Sequence, residues 1–176
     1  WTGEVKNVLL EPNPLLSLAP GERFAAQFRT PGERCSATMR RGLAQGLALL
    51  GAMGLDTRLD DGSSLADVAA RVVRDLLRTA NNDTSGRSWE LVGRQLSFLA
   101  AAAPNEFLEA VDDGLRGSDP VGFKLFQEDQ ESSLTIGPSS PHPDLLWAIE
   151  TVPWAEQYLL HWLRVLALLT VLARAG

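Results

Sequence analysis

An all-α fold is predicted by three features of the sequence: apolar residues recur at helical spacing over most of its length, strand–helix alternation is absent, and breaks marked by proline or glycine divide the periodic stretches into pairs. The expected architecture is a set of antiparallel helical pairs, roughly six to eight helices, in one domain spanning residues 1–176. A chain of 176 residues has room for one real core or a short helical array, and would cramp two independent domains. Hydrophobic residues make up 45% and charged residues 22%, enough apolar surface to pack rather than stay disordered. The net charge of −6 argues against a nucleic-acid partner, which needs a concentrated positive face.

Residues 1–30 contain "EPNPLL" and "LAPGERF", whose prolines remove backbone donors and favour extended or turning chain, so an extended segment lying across the helices is expected there. An internal echo follows, "APGERFAAQFR" at 19–29 and "TPGERCSATMR" at 30–40. Pro31 and Gly32 forbid one smooth helix through both copies, so each is expected to start its own, with the acid near the positive N-terminal end. The second helix should continue through Met39, Leu43, Leu47 and Leu50, where small Gly and Ala residues admit a close neighbour, and end at Gly54 before "LDDGSS". From Ser64, an N-cap with Asp67 three residues on, Leu65, Val68, Ala69, Val72, Val73, Leu76 and Leu77 form an inward stripe. Asp67, Arg71, Arg74, Asp75 and Arg78 form the opposite, solvated one.

"NNDTSGRS" reads as a loop, with Ser88 expected to cap a helix that buries Trp89, Val92, Gly93, Leu96, Leu99, Ala100 and Ala103. Pro104 suits the first turn of the next helix, with Phe107, Leu108, Val111 and Leu115 inward and Gly117 closing it. "DPVGFKLF" predicts a short helix or turn. A long loop near 127–143 follows, without helical period and with a brief strand at Leu134 to Ile136. Asp144 begins a helix to about Val152, Pro153 breaks it, and a last helix runs from about Ala155 to Ala173. Leu145, Ile149 and Val152 are its predecessor's inward stripe; the last helix is apolar nearly all round, so it must be buried on several sides or cover a partner.

"SFLAAAAPNEFLEAV" and "WAIETVPWAEQYLLHWL" both read as helix, proline-marked break, aromatic-Leu doublet and another apolar face. This is a loose match to HEAT-like helical pairs, which run ~40–47 residues per unit, the long loop accounting for a wider spacing here. On "LLWAIETVPWAEQYL" and "LAAAAPNEFLEAV" the second half of the chain resembles the helical interior of large, uncharacterised bacterial multidomain proteins. That resemblance implies a HEAT-like α-solenoid or irregular helical bundle and transfers no catalytic residue. Apart from Lys6 and Lys124 all 16 basic residues are arginine, a bias that suggests a GC-rich bacterial genome. The chain starts at Trp1 rather than Met, and is expected to be a piece of a longer protein. Lone Cys35 excludes an internal disulfide, as is usual in the cytoplasm, and the most apolar stretch, Val165 to Ala173, is shorter than the ~20 residues a membrane span needs.

Candidate chemistry is sparse. His142-Pro143-Asp144 is similar to the tripeptide by which J-domain co-chaperones engage their partner, but no Lys or Arg lies between Leu125 and His142 and no basic helix precedes it; a helix start explains it. Two histidines nineteen positions apart and one cysteine do not supply the three or four convergent ligands of a metal centre. Adjacent acids such as Asp112-Asp113 diverge by about 100° on a helix and do not make a facing catalytic pair. Glu150, in an apolar helix, is expected to pair with Arg164 or Arg94. Phosphate-loop, dinucleotide and nucleophile-elbow motifs are absent. No cofactor is therefore expected.

Trp147, Trp154, Tyr158 and Trp162 lie within one short stretch, the last three at i, i+4 and i+8, and two helices folded at Pro153 would gather all four rings into a core. The expected function is accordingly a non-catalytic scaffold or interaction module that engages a protein partner or an adjacent domain through the 127–143 loop and the flank of the last helix. The competing expectation is a small-molecule-binding or hydrolytic domain using His142, Asp144, Trp147, Glu150, Tyr158 and His161 around that aromatic cluster, which requires their polar atoms to converge on one cleft.

Overall fold

The computed structural model describes residues 2–14, 18, 22, 34–117, 120–121, 124, 142–152 and 155–175. Among them the elements are helical throughout, and the one β-type contact is an isolated bridge between Arg58 and Ser64. In chain order they are α1 (Thr2–Leu9), α2 (Ala37–Met53), α3 (Leu65–Asn82), α4 (Arg87–Val92), α5 (Leu96–Ala102), α6 (Pro104–Gly114), α7 (His142–Thr151) and α8 (Leu159–Ala175). A 3-10 turn at Gly93–Gln95 joins α4 to α5, and another at Glu156–Tyr158 leads into α8.

The extended reading of residues 1–30 fails over Thr2–Leu9, which is helical and buries Val5 and Leu9 against α2 and α3. The prolines that suggested extension all lie beyond it. Glu11, just past α1, accepts the backbone N–H groups of Arg34 (2.9 Å) and Cys35 (3.0 Å) and pairs with the buried Arg40 guanidinium at 3.2 Å. Burial raises the pKa of this carboxyl, but the Cys35 and Arg34 amides and Arg40 outweigh it, leaving the value below the usual carboxylate range. Only Glu22 of the first Pro-Gly-Glu-Arg copy is described, so the helix expected there lies outside the described residues. The second copy does start α2, but only past its Pro-Gly-Glu-Arg and with no acid in the first turn. The helix begins later, at Ala37, because Ser36 adopts the extended N-cap conformation and accepts the Met39 N–H at 3.2 Å.

Gly54 ends α2, donating to the Leu50 carbonyl at 2.9 Å; a side chain there would strike the Leu50 carbonyl and the start of α3. The expected capping box of α3 is present: Ser64 Oγ accepts the Asp67 N–H at 3.1 Å while Asp67 Oδ2 accepts the Ser64 N–H at 2.7 Å. Both stripes of α3 fall as their spacing requires, with Val72, Val73, Leu76 and Leu77 buried and Asp67, Arg71, Arg74, Asp75 and Arg78 exposed.

Ser88 does not cap α4. Gly86, at φ 76°, turns the chain into the helix one residue before Ser88 can act, and the Ser88 amide and hydroxyl instead donate to Asp83 Oδ2 at 2.9 and 2.8 Å. With Ser85 donating to the other oxygen, these bonds hold the Asp83 carboxyl down at about 2, the Ser85 hydroxyl contributing most and burial opposing it. The face from Trp89 through Ala103 is buried as expected, although the 3-10 turn at Gly93 interrupts the rod that carries it. Pro104 opens α6, and Phe107, Leu108, Val111 and Leu115 face inward.

Helix neighbours form two rows. One runs α2, α5, α7; the other runs α3, α6, α8; and α2 with α3 and α5 with α6 pair across them. Residues 125–141, which hold most of the expected long loop and its strand, lie outside the described residues, while His142 and Pro143 already belong to α7.

Candidate functional site

The residues expected to surround an aromatic cluster divide between two surfaces. On α7, Leu145, Ala148, Ile149 and Val152 take the inward stripe against α5, which turns Leu146, Trp147 and Glu150 outward. Trp147 is 67% exposed. The expectation that its ring joins the core is therefore wrong, because the helix has room inward for only one stripe and the aliphatic residues occupy it. Tyr158 and Trp162 do pack against the core, and Trp162 Nε1 donates to the Ile149 carbonyl at 2.9 Å, fastening α8 to α7. Trp154 lies outside the described residues.

His142 opens α7 and Asp144, half-buried, sits in its first turn. Glu150 is exposed, and of the two arginines expected to pair with it Arg164 is engaged elsewhere, its Nε 3.4 Å from Asp112 Oδ1. His161 also faces Asp112, with Nε2 3.9 Å from Oδ2, while Glu150 is turned to solvent on α7.

Asp112 is the ionic centre that spacing alone did not reveal. It is 4% exposed near the end of α6, and Arg116, one turn on, binds Oδ2 while also reaching Asp113 Oδ1 at 3.3 Å. Arg164 and His161 close on it from α8, so one carboxylate joins the last two helices of the second row. Its signal lay in register: Asp112 follows Leu108 by one turn and so shares the inward face, whereas Asp113 is turned out. Two guanidinium groups and an imidazole thus surround one buried carboxylate, whose Oδ1 receives no hydrogen bond and is approached by Arg164 Nε as an ion pair.

A second polar junction lies between α3, α4 and α6. Trp89 Nε1 donates to Asn81 Oδ1 at 3.0 Å and Asn81 Nδ2 donates to the Ala110 carbonyl at 2.8 Å, so the buried indole and amide satisfy each other. Gly114 is needed there, since a Cβ would meet the Asn81 amide. Beside this junction a small cleft of about 160 Å³ is lined by Asn81, Thr84, Asp113, Gly114, Arg116 and Val121, none of them an expected site residue. Burial, followed by the neighbouring Glu11, raises the pKa of the Cys35 thiol. Among the described residues no group of three or more His, Cys, Asp or Glu side chains is placed to hold a metal, and no helix is long and apolar enough to cross a membrane.

What the C-terminal pair does present is apolar surface. Leu146 and Trp147 on α7 and Leu159, Leu160, Leu163 and Val171 on α8 are exposed. Comparison of the chain with protein-family models, with curated proteins and with solved structures finds no match in any of the three.

Proposed function

We propose that the chain is a non-catalytic helical scaffold of HEAT-like type, which binds a protein partner or an adjacent domain through the outer face of α7 and α8 and works in the bacterial cytoplasm. The exposed leucines and Trp147 of that face carry the reading. α8 is apolar along most of its length, and beside its contact with α6 its Leu159, Leu160, Leu163 and Val171 stay exposed, surface available to another molecule. The order of helix neighbours supports the solenoid part of the proposal, since in such arrays each pair packs on the next and on little else. Two pairs pack side by side, α2 with α3 and α5 with α6, and the third would be α7 with α8, joined by the Trp162–Ile149 hydrogen bond.

Affinity capture from a matched bacterial lysate tests the reading. Wild-type chain and Leu160→Asp are compared, the substituted side chain being 83% exposed and therefore removable without loss of fold. Binding proteins retained by the wild type and lost by the variant are expected. Equal retention by both, or none by either, counts against the proposal.

A further inference from the structure

α8 is held on the body of the protein by few groups. Among its described side chains only Val165 is buried outright, with Leu166 and Leu169 half-buried beside it, and Trp162 Nε1 donates to the Ile149 carbonyl. The other tie is the charge at Asp112, and the partners of that carboxylate bind it unequally. Arg116, one turn on from it, hydrogen-bonds Oδ2, whereas Arg164 Nε stands 3.4 Å from Oδ1 without a hydrogen bond and His161 Nε2 stands 3.9 Å from Oδ2. The share supplied by α8 is therefore mainly Coulombic, and it is wet, since Arg164 keeps 59% of its side chain in solvent.

We propose that Asp112 is the catch of a releasable α8: charge on α8 closes it, and Arg116 keeps the carboxylate paired while α8 is away. Packing alone does not call for an acid at this position. Asp112 lies on the inward stripe of Leu108 and Leu115, and an apolar side chain there would dock α8 as well or better, because burying an ion pair often costs as much as the pairing gains. What the carboxylate adds is a joint that answers to charge. Removing one partner of a buried pair ordinarily leaves the other charge stranded; here the bond to Arg116 lies within one stretch of chain and survives the departure of α8. Opening bares Val165 and the covered part of Trp162, apolar surface that the docked helix hides. The device stands whether or not the exposed leucines of α8 engage a partner.

Native-state hydrogen exchange on the whole 176-residue chain, comparing amides of α8 with those of α3, tests this. Arg164→Gln, a change at a side chain largely in solvent, is expected to speed α8 exchange roughly threefold, and Asp112→Asn at least as much. In the Asp112→Asn background Arg164→Gln should add nothing, because the two act through one contact. Arg116→Gln should speed α3 and leave α8 nearly unmoved, since its bond is broken by global unfolding and kept when α8 opens. High salt should speed α8 exchange in the wild type and lose that effect in Asp112→Asn. An α8 indifferent to Arg164→Gln, additive effects in the double variant, acceleration of α8 by Arg116→Gln as large as by Arg164→Gln, or one opening energy shared by α8 and α3 would each overturn the proposal.

Discussion

Trp89 and Trp147 have the same indole and opposite surroundings. Trp89 is enclosed, 1% exposed, and its N–H is satisfied by Asn81, whereas Trp147 stands in solvent on the outer side of α7. Trp89→Ala removes a large buried ring and strands the Asn81 oxygen, so a loss of about 3–5 kcal/mol is expected. Trp147→Ala removes no core contact and is expected to cost under ~0.5 kcal/mol. Urea unfolding of both variants in dilute solution measures the difference; equal losses would mean that Trp147 is part of the core after all. The sequence made Trp89 legible, because it heads a face whose later members recur at helical spacing to Ala103. It misled at Trp147, since clustering of aromatic residues along the chain says nothing about which side of a helix each one takes. Asp112 shows the same limit from the other direction: composition marked it as one of an acidic doublet, and only its register with Leu108 set it inside among Arg116, Arg164 and His161.

At the scale of the helix, glycine positions separate close packing from idle permissiveness. Gly51 on α2 lies against the end of α5, where a Cβ would run into the Ala102 carbonyl, so Gly51→Ala forces the two helices apart. A loss of roughly 1–3 kcal/mol is expected. Gly42, on the same helix, faces open space, and Gly42→Ala is expected to add roughly 0.5–1 kcal/mol through helix propensity alone. Thermal unfolding of the two variants should therefore move in opposite directions from the wild type, and movement in the same direction would show that α2 does not sit on α5 as described. That α2 admits a close neighbour was readable from its Gly and Ala content; which glycine meets that neighbour was not, because it depends on where α5 crosses. Helix starts followed a similar division. Ser64 with Asp67 and Pro104 signalled theirs through chemistry local to the first turn, while Ser88 lost its capping role to Asp83 and Gly86 through a loop geometry no single residue announces.

For the molecule as a whole, two rows of helices imply stability that declines toward the C-terminal end. α3 packs on α1, α2, α4, α5 and α6, and α5 packs on α2, α3, α6 and α7, so neither can open without dismantling most of the core. α8 rests mainly on α6 and on the 3-10 turn before it, held by Val165, by the Trp162–Ile149 hydrogen bond and by the charges at Asp112. Releasing it exposes less apolar surface than global unfolding does, and the cooperative unit that opens first should be α8, taking the outer edge of α7 with it. Hydrogen exchange under native conditions in increasing sub-denaturing urea is the appropriate measurement. In dilute solution, amides of α8 are expected to exchange through an opening of smaller free energy and smaller urea dependence than those of α3 and α5. Uniform protection from α3 to α8 would show instead that the rows behave as one cooperative block, and would remove the quasi-linear character on which the HEAT-like reading relies. Any molecule that covers the outer face must raise the α8 opening energy by RT ln(1 + L/Kd), with L its free concentration, so repeating the measurement with increasing amounts of a captured partner links local stability directly to association. Protection confined to α7 and α8 and growing with partner concentration is the pattern expected if the least stable end of the array is also its binding end.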